Sequence, residues 1–185
     1  MRLLFLGDVM GRAGRDVVTE RLPGLIERCR FDFVIVNGEN ASHGRGITEA
    51  HFELLRDAGA DVVTLGDHAF DQRELMTAIE RHDTLIRPIN FPPGAPGRGA
   101  TMVTGRNGHQ VLVVNALGRV FMPPMDDPFR AVDNAIARCP LGEQADAIVV
   151  DFHAEATSEM QGMGHYLDGR VSLVVGTHTH IPTSD

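Results

Sequence analysis

Short apolar runs recur along this chain, and each is followed by polar side chains that are able to bind a metal or a phosphate. Continuous apolar runs of this length are typical of strands buried on both faces of a parallel sheet. They occupy residues 3–6, 31–36, 61–65, 147–150 and 171–175. Since parallel strands present their carboxyl ends at one edge of a sheet, we expect the polar groups behind them to lie together.

The segments between these runs predict helices. Apolar residues recur at helical spacing over residues 17–29, where Pro23 is expected to kink or break the helix. A weaker helical pattern covers residues 155–166. Residue types that favour helix N-termini occur at Thr48, at Asp71 with Glu74 in capping-box spacing, and at Asp127 before Pro128. The alternation of strands and helices predicts an α/β fold.

One stretch departs from this alternation. A proline-rich loop over residues 88–99 is followed by two β-rich segments, 101–104 and 110–115. These segments flank Asn107-Gly108, which predicts a hairpin with a type I′ turn. The hairpin indicates a second sheet or an antiparallel edge strand.

Composition limits the class of protein. With 185 residues the chain is long enough for one core, so we expect a single domain over residues 1–185. A net charge of −8 argues against broad binding to nucleic acid or to membrane surfaces. The first apolar run is too short for a secretory signal, and no run approaches the length of a membrane span. The two cysteines, Cys29 and Cys139, lack C-x-x-C spacing. A reduced, cytoplasmic protein without membrane contact is expected.

The polar groups at the strand ends are carboxylates, an amide and imidazoles, without a thiolate. They are Asp8, Glu39 with Asn40, Asp67 with His68, His153, and His178 with His180. Residues of these types also occur by chance as turn formers and helix caps. As one set they favour iron, manganese or zinc over calcium or an iron–sulfur cluster. Since a glutamate can bridge two ions, the set predicts a two-metal site of the kind that hydrolyses phosphate esters.

The sequence Gly176-Thr177-His178-Thr179-His180 carries two imidazoles one residue apart. On an extended backbone both would point to the same side, because side chains alternate along a strand. This favours two adjacent nitrogen ligands, although two solvated turn histidines are the alternative.

Four motifs in this order resemble the YmdB-like bacterial metallophosphoesterases of the calcineurin-like superfamily. They begin at Gly7, Asn37, Gly66 and Gly176, with the sequences GDVMG, NGENA, GDH and GTHTHIPT. The resemblance covers essentially the whole chain. It implies two facing mixed sheets flanked by helices in an αββα arrangement, and a phosphodiesterase acting on 2′,3′-cyclic nucleotides or related diesters through a metal-bridging hydroxide.

Site residues follow from the same resemblance, position by position. Asp8, Asn40 and His180 would hold the first metal, Glu39 would bridge, and Asp67, His153 and His178 would hold the second. His68 would act beside the scissile phosphate as a proton donor or charge stabiliser. The alternative is that it only forms a hydrogen bond to the metal ligands. Arg12, His43 and Arg45 are candidate contacts to the phosphate, or else solvated loop residues.

The chain departs from the family pattern at three points. Met10 stands where the wider superfamily has histidine. The YmdB-like branch also lacks this histidine, so Met10 strengthens the resemblance to that branch. Asp67 stands where that branch usually has asparagine. The family also extends some tens of residues beyond position 185, so we expect the last strands of the fold to be missing, and an uncovered sheet edge would favour a partner chain or a homo-oligomer.

Two other functions remain open at this point. The first is a slow or non-catalytic regulator that binds phosphoryl or RNA-derived ligands through the metals. Asp67 and the short C-terminus relative to the family both favour it. The second is a nucleotide-binding Rossmann domain, which is weak because Gly11-Arg12-Ala13-Gly14 lacks the full G-x-G-x-x-G spacing.

Overall fold

Eight strands form two four-stranded sheets within residues 1–183, which the computed structural model describes. The first sheet has the order β1 (Leu3–Leu6), β2 (Phe33–Asn37), β3 (Val62–Thr64) and β4 (Leu85–Ile86). The second has the order β5 (Ala100–Thr104), β6 (Gln110–Leu117), β7 (Ala147–His153) and β8 (Leu173–Thr177). All neighbouring strands are parallel except β5, which is antiparallel to β6.

Five α-helices connect the strands in the described part of the chain. They are α1 (Gly11–Cys29), α2 (Glu49–Asp57), α3 (Leu75–Ala78), α4 (Pro128–Ile136) and α5 (Thr157–Tyr166), and α3 continues into a 3₁₀ turn over Ile79–Arg81. No helix of residues 1–183 combines the length and the apolar character needed to cross a bilayer.

The core is divided into three apolar clusters. The middle cluster lies between the sheets and contains Phe33 and Ile35 of β2 together with Val113 of β6 and Val149 of β7. The other two clusters lie between the outer faces of the sheets and the helices. The order is therefore helices, sheet, sheet, helices. The αββα fold class is confirmed, and the predicted hairpin belongs to a second sheet.

The helix ends confirm two of the predicted caps. The Thr48 side chain accepts a hydrogen bond from the backbone N–H of His51 at the start of α2. Asp127 accepts from the N–H groups of Phe129 and Arg130 at the start of α4, with Pro128 in the first turn. Each cap satisfies donors that the helix itself leaves unpaired.

The predicted break in α1 is wrong, because the helix runs through Pro23 without interruption. Pro23 is exposed, whereas its neighbour Leu22 is buried. Water can therefore solvate the carbonyl group that loses its partner, while the packed face keeps the helix together.

The predicted capping box is also wrong. Residues 67–74 form turns, and α3 begins only at Leu75. The two side chains have other partners: Asp71 lies against His68, and Glu74 accepts a hydrogen bond from the N–H of Glu49.

The hairpin between β5 and β6 forms as predicted, but its turn is not of type I′. That turn needs a positive φ at both central residues, and only Gly108 has one, at 84°. The N–H of Gly108 donates to the carbonyl of Gly105, and the N–H of Gly105 donates to that of His109. This is a turn closed by a left-handed glycine, and the loop enclosed by the Gly105–His109 pair, residues 106–108, is one residue longer than the type I′ form.

Candidate metal centre

Carboxyl ends of strands from both sheets bring the candidate ligands to one edge of the molecule. Asp8 follows β1, Glu39 and Asn40 follow β2, and Asp67 follows β3. His153 ends β7, and His178 and His180 follow β8. The predicted positions are far apart in sequence, and the structure places them in two adjoining groups.

One group, called here the inner group, consists of Glu39, Asp67, His153 and His178. One ligand atom from each of them lies within 4.8 Å of the others. The Nε2 atom of His153 is 3.1 Å from Asp67 Oδ1 and 3.2 Å from Glu39 Oε1. The Nδ1 atom of His178 is 3.1 Å from the same Nε2 atom. These separations suit side chains that converge on one ion.

The outer group consists of Asp8, Asn40 and His180. The Nε2 atom of His180 lies 3.1 Å from Asp8 Oδ2 and 3.1 Å from Asn40 Oδ1. Asp8 Oδ2 also accepts a hydrogen bond from the backbone N–H of His178 at 3.0 Å. This contact joins the loop after β1 to the loop after β8, and so connects the two groups.

The buried carboxylates of these residues fit divalent cations. Asp8 Oδ1 is buried and accepts no hydrogen bond, whereas the buried Glu39 Oε1 has the ring nitrogen of His153 3.2 Å away. A buried carboxylate oxygen without a donor is costly, and a divalent ion would satisfy it. The donors are oxygen and nitrogen atoms only, which fits iron, manganese or zinc.

Gly66 supplies the space for the inner group. A Cβ atom at this position would lie 2.2 Å from Glu39 Oε2 and 2.5 Å from His153 Nε2. The glycine that closes the third apolar run is therefore a steric requirement of the site.

The charges of the inner group are strongly coupled. Burial opposes the charged form of His153, but the carboxylates of Asp67, Glu39 and Asp8 outweigh it and raise the pKa of His153 to about 10. Burial would raise the pKa of Asp67, but its hydrogen bond to His153 outweighs this and the pKa of Asp67 falls to about 2. In the outer group, burial raises the pKa of Asp8. Without a cation, His153 therefore serves as the positive charge of the site.

His178 and His180 do not extend the strand, contrary to the sequence prediction. Strand β8 ends at Thr177, and the two histidines have φ values of 110° and 56°. This left-handed backbone is uncommon for residues other than glycine and occurs often at functional sites. Because the chain turns here, His178 faces the inner group and His180 faces the outer group, rather than both lying on one side.

His68 lies beside the inner group. Its Nε2 atom is 3.7 Å from Asp67 Oδ2, and its backbone N–H donates to Glu39 Oε2. Its Nδ1 atom is 3.1 Å from Asp71 Oδ2. Such a carboxylate fixes the orientation of an imidazole and leaves the other nitrogen free. Sequence reasoning missed this role of Asp71, because its spacing to Glu74 indicated a helix cap.

The three candidate phosphate contacts lie on the surface around this edge. Arg12 is on the exposed face of α1, where it forms an ion pair with Asp16. His43 and Arg45 are exposed in the loop after β2, and His43 has a φ of 56°. The structure does not bring these side chains into either ligand group, and their role remains a prediction.

Sequence reasoning also missed two contacts to the candidate histidine ligands. The Nε2 atom of His178 is 2.9 Å from Glu155 Oε2, and the Nδ1 atom of His153 is 2.8 Å from Thr177 Oγ1. Glu155 lies two residues after a histidine ligand and Thr177 directly precedes one, but nothing in their spacing distinguishes them from ordinary loop and strand residues. Outside the ligands, a cleft of about 800 Å³ opens between β1 and β8 and reaches His178 and His180.

The fold and the donor set define an α/β protein of the calcineurin-like class, in which two facing sheets carry a candidate metal centre at one edge. The family model described as "YmdB-like protein" matches residues 4–185. The chain belongs to this family.

Relatives agree with this assignment. The 2′,3′-cyclic-nucleotide 2′-phosphodiesterase of Bacillus subtilis is 49% identical over 100% of this chain and 69% of its own length. A hypothetical protein from Thermus thermophilus has a crystal structure that superposes with a TM-score of 0.90 at 48% identity, covering 100% of this chain and 70% of that one. The structure of a novel phosphatase from Mycoplasma pneumoniae gives a TM-score of 0.87 at 34% identity, covering 98% and 65%. The chain thus spans about two thirds of the length of these relatives.

Proposed function

We propose that this chain is a metal-dependent phosphodiesterase that hydrolyses small phosphate diesters, with 2′,3′-cyclic nucleotides as the first substrates to test. The observation that carries the proposal is the meeting of two ligand groups at one edge, with a buried, unsatisfied carboxylate oxygen on Asp8 of the outer group. The name of the relative from Bacillus subtilis supports the substrate class.

The two groups would hold two ions, with iron or manganese favoured and zinc as the alternative. Asp8, Asn40 and His180 would bind the first, and Asp67, His153 and His178 the second. Glu39 would bridge them, which is the role that the family resemblance implies for this position. When bound, such a pair supplies an activated water and neutralises the charge of the phosphate.

His68 is the group of this chain that we assign to proton transfer. Asp71 holds its Nδ1 side, and its Nε2 atom faces the inner group. A proton held on that nitrogen can pass to the leaving oxygen of the ester, or its charge can stabilise that oxygen. Arg12, His43 and Arg45 are proposed to bind phosphate oxygens at the edge of the site.

The experiment is hydrolysis of 2′,3′-cyclic AMP and of bis(p-nitrophenyl) phosphate by the purified chain with Mn²⁺. We expect turnover that a chelator abolishes, a large loss of turnover for His68→Ala, and about two metal equivalents per chain by elemental analysis. His109→Ala is the matched control, because His109 is a half-exposed hairpin residue that pairs with Asp146. Absence of turnover with both ions bound would contradict the proposal.

One observation favours a second function. Asp67 contributes a carboxylate within 3.1 Å of His153, and this extra negative charge would repel an anionic substrate. A slow or non-catalytic protein that binds phosphoryl or RNA-derived ligands through its metals would then be expected. Tight, metal-dependent binding of a cyclic nucleotide without its hydrolysis would support this alternative.

A further inference from the structure

A layer of buried polar side chains lies between the apolar core and the ligand groups. We call it the polar layer, and its members are Asn37, Thr64, Asn115, Asp151 and Thr177. Along β7, Ala147 and Val149 belong to the cluster between the sheets, and Asp151 and His153 continue the same face of the strand. The proposed metal ligand His153 is therefore packed directly against this layer.

Asp151 is the centre of the polar layer. It is fully buried, and its partners come from both sheets. Its Oδ1 atom accepts from Thr177 Oγ1 at 2.7 Å. Its Oδ2 atom accepts from Thr64 Oγ1 at 2.5 Å and from Asn37 Nδ2 at 3.1 Å. None of these hydrogen-bond partners belongs to the proposed ligand set.

Asp151 determines which of Thr177 and His153 donates in the hydrogen bond between them. A hydroxyl group has one proton, and the carboxylate of Asp151 accepts it. Thr177 Oγ1 is then an acceptor toward His153 Nδ1, 2.8 Å away. The proton of the neutral imidazole is fixed on Nδ1, and the lone pair of Nε2 faces Glu39 and Asp67.

The same carboxylate also reaches the other side of the inner group. Because Asn37 Nδ2 donates to Asp151, its amide oxygen points the opposite way and accepts from the N–H of Glu39 at 3.1 Å. Asp151 thus orients a residue on each side of the inner group, His153 in the second sheet and Glu39 in the loop after the first.

We propose that Asp151, acting through Thr177, is a positioning residue that sets the tautomer of His153 for metal binding. This inference rests on the proposed function, since it assigns His153 Nε2 to a metal. It goes beyond the ligand set, because neither Asp151 nor Thr177 belongs to it. Carboxylates that act on a ligating histidine in this way typically strengthen metal binding by about 10- to 100-fold.

The test compares three variants of the purified chain by chelator competition with Mn²⁺. Thr177→Val keeps the shape and removes the hydroxyl, so we expect about 10- to 100-fold weaker binding of one Mn²⁺ ion. Thr177→Ser restores the hydroxyl and should return the affinity to near that of the unaltered chain. Thr64→Val is the matched control. It removes another buried hydroxyl that donates to Asp151 but has no hydrogen bond to His153. It should lower the urea midpoint as Thr177→Val does, but leave the Mn²⁺ affinity nearly unchanged.

Nitrogen NMR of the chain with Zn²⁺ bound gives a second readout, in which His153 should carry its proton on Nδ1. The proposal is overturned if Thr177→Val binds Mn²⁺ as tightly as the unaltered chain. It is also overturned if Thr64→Val loses as much affinity, or if Nδ1 is unprotonated. If the unaltered chain binds no Mn²⁺, the proposed function fails as well, so the two failures are distinguishable.

Discussion

The Nδ1 atom of His68 lies 3.1 Å from the Oδ2 atom of Asp71, three residues further along the chain. The pair lies in the turns that follow β3, beside the inner ligand group. Two carboxylates of this short segment have different partners. Asp67 faces His153 of the inner group, and Asp71 faces His68, the residue assigned to proton transfer.

Asp71→Asn should lower turnover without affecting metal binding. The amide replaces the carboxylate that contacts Nδ1 of His68 and weakens control of the ring's orientation, so we expect about a 10- to 100-fold lower kcat. Steady-state hydrolysis of bis(p-nitrophenyl) phosphate and Mn²⁺ affinity are the two measurements. Asp133→Asn on α4 is the control, because Asp133 pairs with Tyr166 and Arg170. A parallel loss of Mn²⁺ affinity in Asp71→Asn would show that Asp71 supports the ligands instead.

Gly66→Ala should abolish tight metal binding. The new methyl group would lie 2.2 Å from Glu39 Oε2 and against the ring of His153, so both side chains would have to move. We expect at least about a tenfold weaker Mn²⁺ affinity. Gly164→Ala on α5 is the matched control, since a Cβ atom there meets no heavy atom within 4 Å. That substitution should leave affinity unchanged and raise the free energy of unfolding by about 0.5–1 kcal/mol. Equal Mn²⁺ affinities in the two variants would exclude a steric role for Gly66.

Asp67→Asn should weaken cation binding and raise turnover when both metals are fully bound. The carboxylate adds a negative charge beside the inner group, which favours cations and repels an anionic diester. The measurement is kcat and KM for a phosphodiester at saturating Mn²⁺, with the Mn²⁺ affinity determined in parallel. Unchanged or lower turnover at full metal occupancy would contradict this account of Asp67.

Metal binding should release protons. Because the pKa of His153 is raised to about 10, the imidazole is charged at neutral pH in the metal-free chain, and it must lose its proton to become a ligand. Metal affinity should therefore rise with pH up to about 10. Titration calorimetry in buffers of different ionisation enthalpy should give about one proton released per inner-group ion at pH 7. A binding enthalpy that does not depend on the buffer would contradict the charged state of His153.

The same pKa shifts predict how the metal-free chain responds to pH. The raised pKa of His153 contributes stability that is present below its ordinary value near 6.5 and is lost as the pH rises through about 10. The lowered pKa of Asp67 contributes stability that is present above its ordinary value near 3.8 and is lost as the pH falls toward 2. Urea unfolding of the chelator-treated chain at pH 7 and pH 10 should therefore give a lower free energy at pH 10.

Seven of the eight strands, all except the two-residue β4, and the meeting of the candidate ligands at one edge could be predicted from sequence, because both follow from apolar runs and from the direction of parallel strands. The direction of His178 and His180 could not. It depends on a left-handed turn that begins immediately after Thr177. The histidines there do not by themselves indicate a positive φ. Capping-box spacing at Asp71 and Glu74 was misleading because each side chain has another partner. Asp71 contacts His68 within the same turn, and Glu74 accepts from the distant N–H of Glu49.

Asp151 shows a different limit of sequence reasoning. In sequence it is a single carboxylate in an apolar strand, and burial raises its pKa to about 6. Its importance lies in partners from Asn37, Thr64 and Thr177, which are distant in the chain and belong to different strands. Only the packing of one sheet on the other brings these residues together.

The inner group takes Glu39 and Asp67 from the first sheet and His153 and His178 from the second. An ion that binds all four would cross-link the two halves of the molecule, so occupancy and folding would be linked thermodynamically. At a free-ion concentration 100 times the dissociation constant, this linkage adds about 2.7 kcal/mol per site to the folded state. The melting temperature should then rise as Mn²⁺ is titrated, so it would report the concentration of free metal ion.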